Sequence, residues 1–192
     1  MINRRGICLV LAAASGTGKT SLSRKMIAAD SNLALSISMT TRAPRDGEID
    51  GVHYLFRTQA QFDALAAEGG FLEHAHVFGR SYGTPRAPVE AALSAGRDVL
   101  FDIDWQGHRL LRAALPADVV GVFILPPSIE VLADRLRKRG DQEDAIAKRM
   151  AAAEAEISHA GEFDRVVVND DFDATLAELT AILRAARQAR MS

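Results

Sequence analysis

Residues 7–20, Ile7-Cys8-Leu9-Val10-Leu11-Ala12-Ala13-Ala14-Ser15-Gly16-Thr17-Gly18-Lys19-Thr20, restrict what this chain can become more than any other stretch. The apolar run Ile7–Ala12 reads as a strand covered on both faces, the habit of parallel sheets with helices on each side. Two glycines in a tight turn follow, and then Leu22, Met26 and Ile27 at helical spacing. Strand, glycine-bearing turn and Gly-Lys-Thr opening a helix is the context of a phosphate-binding loop, or P-loop. Unpaired N–H groups of such a turn converge on phosphate oxygens, and the helix dipole favours the negative charge there. Lys19 would reach the outer phosphates, and the Thr20 hydroxyl would ligate Mg2+. A nucleotide is therefore expected against Ala13, Ala14, Ser15, Gly16, Thr17, Gly18, Lys19, Thr20 and Ser21. Ala13 stands where the motif usually carries its first glycine, and it fits if its φ stays negative.

Further apolar runs at Val99–Ile103, Val119–Leu125 and Val166–Val168 read as buried strands. Helical periodicity follows each of them, at Trp105–Leu115, at Ile129–Leu136 and through Leu176, Leu179, Ile182 and Leu183. The alternation predicts an α/β fold, a parallel sheet core with helices on both faces and its ligand at the C-terminal edge of the strands. Residues 36–97 break the pattern. A Pro/Gly-punctuated loop, Thr40 to Glu48, precedes short aromatic strands at residues 53–56 and 71–78 that flank a helix at residues 59–67, which predicts an inserted mixed lobe. A second excursion, residues 137–155, is rich in charge and alanine, and its thin apolar stripe (Ala145, Ile146, Met150, Ala153) predicts an exposed helix.

Charge and cysteine content remove several alternatives. With 23 basic against 25 acidic residues, the net charge of −2 gives no global field for nucleic acid or an anionic membrane. Cys8, the only cysteine, permits neither an internal disulfide nor a Cys-rich metal site and reads as a small buried hydrophobe. No segment approaches the roughly 20 apolar residues of a membrane span, and the N-terminal apolar run is too short for a secretory signal. A cytoplasmic protein is expected, and nothing in the pattern sets an oligomeric state.

The chemistry-bearing groups are arginines and carboxylates. Arg42 and Arg45 flank Pro44 in the loop of the lobe, with Tyr54 shortly beyond; Arg135, Arg139 and Arg149 lie in or beside the charged excursion. Guanidinium forks match phosphate oxygens bidentately. Arg137, beside Lys138, reads instead as a solvated face. Asp102 and Asp104 end the second long core strand: Asp102 is placed to order Mg2+ waters, while Asp104 is divided between metal shell, helix cap and ligand contact. His53, His74 and His76 read as lobe packing or surface.

These segments resemble the guanylate kinases. The stretch Ser36 to Glu48 followed by Asp50-Gly51-Val52-His53-Tyr54 is similar to the family's GMP-binding signature. Phe71-Leu72-Glu73, Ser81-Tyr82-Gly83-Thr84, Asp102-Ile103-Asp104-Trp105-Gln106-Gly107, Pro126-Pro127-Ser128 and Val168-Asn169-Asp170-Asp171 follow in the family's order and span the chain. The resemblance implies a P-loop NTPase-type core at residues 1–36, 98–136 and 157–192, a mixed α+β GMP-binding lobe at 37–97 and a helical lid at 137–156. It implies phosphoryl transfer from ATP to GMP with Mg2+. Arg42, Arg45, Tyr54 and Tyr82 would hold the GMP phosphate, and Ser38, Glu73 and Thr84, with Asp104 nearby, would read guanine. Lys19, Arg42, Arg135, Arg139 and Arg149 would act on the transferring group, and Asn169 would lie near the ATP adenine. Met39 departs from the small hydroxyl residue often found there. Rival readings are a P-loop kinase for AMP or a sugar phosphate, a non-catalytic peptide-binding module of the same shape, and a regulatory GTPase. The last lacks its usual lysine after Asn169.

Overall fold

The computed structural model describes residues 4–77, 79–138, 140 and 142–191. Its first half runs β1 (Cys8–Ala13), α1 (Lys19–Ala29), β2 (Leu33–Leu35), β3 (Met39–Thr40), β4 (Leu55–Phe56), α2 (Gln59–Ala67), β5 (Phe71–Val77), β6 (Arg80–Pro85) and α3 (Arg86–Ser94). There follow β7 (Asp98–Asp102), α4 (Trp105–Ala114), β8 (Val119–Leu125), α5 (Ile129–Lys138), α6 (Glu143–Ile157), a 3-10 turn (Ala160–Glu162), β9 (Arg165–Val168) and α7 (Phe172–Ala189).

Strands β2-β7-β1-β8-β9, in that order, form one sheet in which every pairing is parallel. Alternation along β1 explains its unbroken apolar run. Cys8, Val10 and Ala12 enter the layer of Val89, Leu93 and Leu111, supplied by α3 and α4. Leu9 and Leu11 enter the opposite layer, with Leu22 and Met26 of α1 and Leu179 and Leu183 of α7. The larger of these, Val10, Leu9 and Leu11, contribute about 1.5–3 kcal/mol each on burial, so either layer would suffer from one truncation in β1. The predicted core strands are present, and β2 is an addition. Three residues with Leu35 exposed leave no apolar run to read; β2 exists because its backbone pairs with β7.

The lobe has its own four-stranded sheet, ordered β4-β3-β6-β5, and a small core of Met39, Phe62 and Phe71. Met39 packs there, with Phe62 and Phe71 stacked at 4.4 Å. A capping box starts α2, where Thr58 accepts from Gln61 N–H and Gln61 reaches back to Thr58 N–H. The predicted strand at residues 53–56 shrinks to Leu55–Phe56, because a turn consumes its start. Ile49 N–H donates to His53 Nδ1 at 3.0 Å, and Gly51 N–H to the Tyr54 carbonyl at 2.8 Å. The last residue of the predicted strand at 71–78, Phe78, lies outside the described residues. Helix α3 places Val89 and Leu93 in the core layer.

At the strand ends farthest from the P-loop, buried Asp98 accepts from Arg4 at 2.8 Å, Arg187 Nε at 2.7 Å and Ile7 N–H at 2.9 Å. Burial raises the Asp98 pKa, but these bonds outweigh it and leave the carboxyl below its usual range. The N-terminal segment and α7 are thereby tied to the sheet. Helix α6 buries Ile146 and Ala153, the latter against Ala14 and Leu132. No helix among the described residues is long and apolar enough to cross a membrane.

Candidate functional site

Two clefts open at the C-terminal edge of the parallel sheet, and they meet at Thr20 and Asp102. The first, about 620 Å3, is lined by Ala13 to Ser21 together with Asp102, Asp104, Arg135, Leu136 and Glu156. Its loop geometry needs glycine at two places: Gly16 has φ 92° and Gly18 φ 99°, in the left-handed region. A Cβ on Gly18 would also sit 2.9 Å from the Asn169 side chain. Ala13 ends β1 in extended backbone, so its methyl is accommodated. Helix α1 starts at Gly18 with no side-chain cap, as α3 and α6 also do, and it alone of the three opens on the first cleft, where its first N–H groups face a bound anion.

Lys19 Nζ lies 2.5 Å from Asp102 and 3.2 Å from the Ile103 carbonyl. The Thr20 hydroxyl is 3.4 Å from Asp102. Arg135 reaches the carbonyls of Thr17 (3.5 Å) and Asn169 (3.0 Å), and Arg149 of α6 reaches the Ser15 hydroxyl at 3.1 Å. Arg139 lies outside the described residues. Asn169 is buried under the loop, not in either cleft, and its amide donates to the Thr17 carbonyl at 2.6 Å. Asp104 takes the cap alternative: it accepts from Gly107 N–H at 2.8 Å while lining the first cleft.

The second cleft, about 350 Å3, runs from Thr20 and Asp102 to Ser38, His53 and Tyr54 of the lobe. Beside it, Arg42 is gripped by Glu48, Nη2 at 2.8 Å and Nη1 at 2.9 Å, and lies 5.4 Å from the Tyr54 ring centroid. Glu48 also accepts from Arg45 N–H at 2.7 Å. The Arg42 guanidinium, then the Arg45 N–H, hold the Glu48 carboxyl down at about 2. Tyr54 and Tyr82 meet edge to face at 6.3 Å. Arg42, Tyr54 and Tyr82 are thus gathered in one place, with the Arg45 backbone joined to them through Glu48. Thr84 donates to Glu73 at 2.7 Å across the β5–β6 pair. Burial pushes the Glu73 carboxyl upward, partly offset by the Thr84 bond, and the nearby Asp104 charge adds to the rise.

The first cleft can hold an anion against the loop, and the second meets it across Thr20 and Asp102; of the lobe residues expected at the site, Ser38 and Tyr54 line the second cleft, while Arg42, Arg45, Glu73, Tyr82 and Thr84 line neither. Two contributors were not singled out by sequence. Glu48 ends the signature stretch, but its grip on Arg42 is a folding outcome. Glu156 enters the first cleft from α6, and burial raises its carboxyl pKa. His74 contacts Phe62 and Phe71 and His76 meets Ser81, whereas His53 holds its turn at the edge of the second cleft. Arg137 pairs with Asp134 and Glu143 on the surface. Burial lifts the Cys8 thiol to about 12, which keeps it inert at neutral pH.

A family model described as guanylate kinase matches residues 5–186. The guanylate kinase of Granulibacter bethesdensis is 62% identical over 96% of this chain and 86% of its own length. That of Gluconobacter oxydans is 57% identical, over 97% and 90%. The crystal structure of guanylate kinase from Anaplasma phagocytophilum superposes with a TM-score of 0.75 at 36% identity, covering all of this chain and 89% of that one.

Proposed function

Since this chain belongs to the guanylate kinase family, we infer that it transfers a phosphoryl group from ATP to GMP, giving ADP and GDP. The observation that carries the reading is the meeting of the two clefts at Thr20 and Asp102, one against the P-loop and one against the lobe. Phosphate tails entering from opposite sides would face each other there. A phosphate oxygen of GMP forms the new bond to the γ-phosphorus as the bond to the β,γ-bridging oxygen breaks and ADP departs. With a second pKa of about 6, that phosphate is already largely ionised at neutral pH and needs no general base. Catalysis then rests on in-line placement and on charge neutralisation.

Lys19, Arg135 and Arg149 line or touch the loop and are assigned, with Arg139, to the transferring group. Arg42, Arg45, Tyr54 and Tyr82 are assigned to the GMP phosphate. Glu73 would accept from guanine N1–H and N2–H, with the Ser38 hydroxyl, or that of Thr84 once released from Glu73, serving O6 and Asp104 close by. Adenine has no such donor pair and would leave a buried carboxylate unpaired, which is why GMP should be preferred over AMP. We assign Asn169 to loop support, since its amide donates to the Thr17 carbonyl and it lines neither cleft.

The Thr20 hydroxyl and Asp102 carboxylate, 3.4 Å apart, are hard oxygen donors of the kind a small divalent cation takes, so they are the residues to hold Mg2+. Bound with ATP, such an ion cancels charge on the outer phosphates. We divide the chain into an ATP-binding core (1–36, 98–136, 157–192), a GMP lobe (37–97) whose α3 joins it to the core, and a lid (137–156). The reaction belongs in the cytoplasm, where both nucleotides are at hand. A coupled ADP-release assay across GMP, dGMP, AMP, CMP and UMP tests the reading. Turnover with GMP far above AMP is expected; AMP as the better acceptor overturns it.

A further inference from the structure

Trp105, His108 and Arg109 share one face of α4 at i, i+3, i+4 spacing. They meet His159, Glu162 and Phe163, which carry the same spacing around the 3-10 turn. The contacts form three pairs. Trp105 stacks on His159 at 3.6 Å and 15°, and His108 on Phe163 at 4.0 Å and 16°. Arg109 donates to both Glu162 oxygens, at 2.6 and 2.5 Å. Two cross-ties close the set: Arg109 lies 4.4 Å from the Trp105 ring centroid, and Glu162 is 2.7 Å from His159. None of the six lines either cleft.

Their place in the chain gives the cluster its meaning. Helix α6 ends at Ile157, just before His159, and carries Arg149 to Ser15 and Glu156 into the first cleft. Helix α4 is capped by Asp104, which lines the same cleft. Along α6 itself only Ile146 and Ala153 are buried, with Met150 and Ile157 half-buried beside Ala14 and Leu132, so the root adds to a thin contact in setting the angle of the helix. Arg149 lies about ten residues before His159, roughly 15 Å at 1.5 Å per residue. A tilt of about 5° at the root therefore moves it by about 1.3 Å, and misplacement on the order of 1 Å can cost about 10²-fold in rate.

We propose that this six-residue clamp is the fixed root of the lid helix, and that Trp105 and His159 are positioning residues for phosphoryl transfer, referring Arg149 and Glu156 to the helix that presents Asp104. The proposal rests on the kinase reading above. Its test uses H159A and H159F in the full chain, with initial rates for ATP and GMP and the emission of Trp105, the sole tryptophan. In H159A, kcat should fall about 10- to 100-fold while KM for GMP stays within about two-fold. Emission should shift to the red as water reaches the uncovered indole face. H159F, which can still stack, should return kcat to within about three-fold of wild type and keep the emission maximum. An unshifted H159A spectrum, a wild-type kcat in H159A, or a rise in KM for GMP matching the loss of kcat each overturns the clamp. Failure of H159F to rescue overturns the stacking role. A wild-type protein inactive on GMP refutes the kinase reading instead, and the emission comparison still decides whether the stack exists.

Discussion

Replacing Asn169 with alanine removes the amide that supports the P-loop from beneath. The Thr17 carbonyl would lose its 2.6 Å bond and keep only the Arg135 contact at 3.5 Å, the outer limit of a hydrogen bond. Thr17 is fully buried and Asn169 is 4% exposed, so water does not readily replace the missing donor. Leaving a buried acceptor poorly satisfied costs about 1–3 kcal/mol. Taking about 2 kcal/mol as felt globally, a chain of this size should lose roughly 4–8 °C in Tm. If the loop alone loosens, the same free energy appears as about 30-fold weaker binding of polyphosphate. Calorimetry with ATP and with inorganic tripolyphosphate separates loop support from adenine contact. Loop support weakens both ligands by the same factor, because the base is not involved. An N169A variant with unchanged Tm and tripolyphosphate affinity, but weakened ATP binding, would refute the reasoning.

Lys19→Ala should lower kcat by at least roughly 10²-fold, the scale of losing one transition-state donor, as read by the coupled assay; near-normal turnover removes Lys19 from the chemistry. Glu73→Gln should raise KM for GMP by roughly 10²-fold, from the loss of two charge-assisted bonds, and leave KM for ATP unchanged. The same residue sets a pH dependence. Glu73 must be ionised to accept from guanine, and burial holds its pKa above the ordinary 4.5, so KM for GMP should begin to climb at a higher pH than an exposed carboxylate would give. As an acid with a raised folded-state pKa, it favours folding at low pH and loses that contribution as pH rises through the raised value. Glu73→Gln should therefore abolish the acid-side climb and slightly stabilise the empty protein at neutral pH; an unchanged acid limb in that variant excludes Glu73 as its source. Asp98→Asn strands Arg4 at a buried site, while Arg187 keeps its ion pair with Asp30 at 2.7 Å, and should cost about 3 kcal/mol. At an m-value of about 2 kcal/mol/M that lowers the urea midpoint by about 1.5 M, and a shift below about 0.3 M would show that the network contributes little.

Some of the site is local and some is not. Residues 13–21 form a cradle because a strand, two left-handed glycines and a helix start are consecutive in the chain. Asp102 is legible because it ends a recognisable strand, and α2 because Thr58 and Gln61 carry their capping chemistry within four residues. Asn169 is the opposite case. It follows the last core strand, as expected, yet its partner Thr17 is 152 positions away, and only packing decides that its amide turns beneath the loop. Glu48 illustrates a middle range: the arginine it grips is six residues distant, but a loop without repeating geometry gives no rule for which of its side chains pair.

Composition and order of residues determined, by themselves, the α/β class, the phosphate-binding loop, the inserted lobe and the identities of the charged groups. These follow from periodicity, turn chemistry and local hydrogen bonding, which act over a few residues. Tertiary structure decided the rest: that β2 joins the sheet, that the two clefts meet at Thr20 and Asp102, that Glu156 enters the first of them, and that Trp105 lies on His159. Each of those depends on surfaces brought together from distant parts of the chain by burial of the two apolar layers, and burial is non-directional until shapes actually meet.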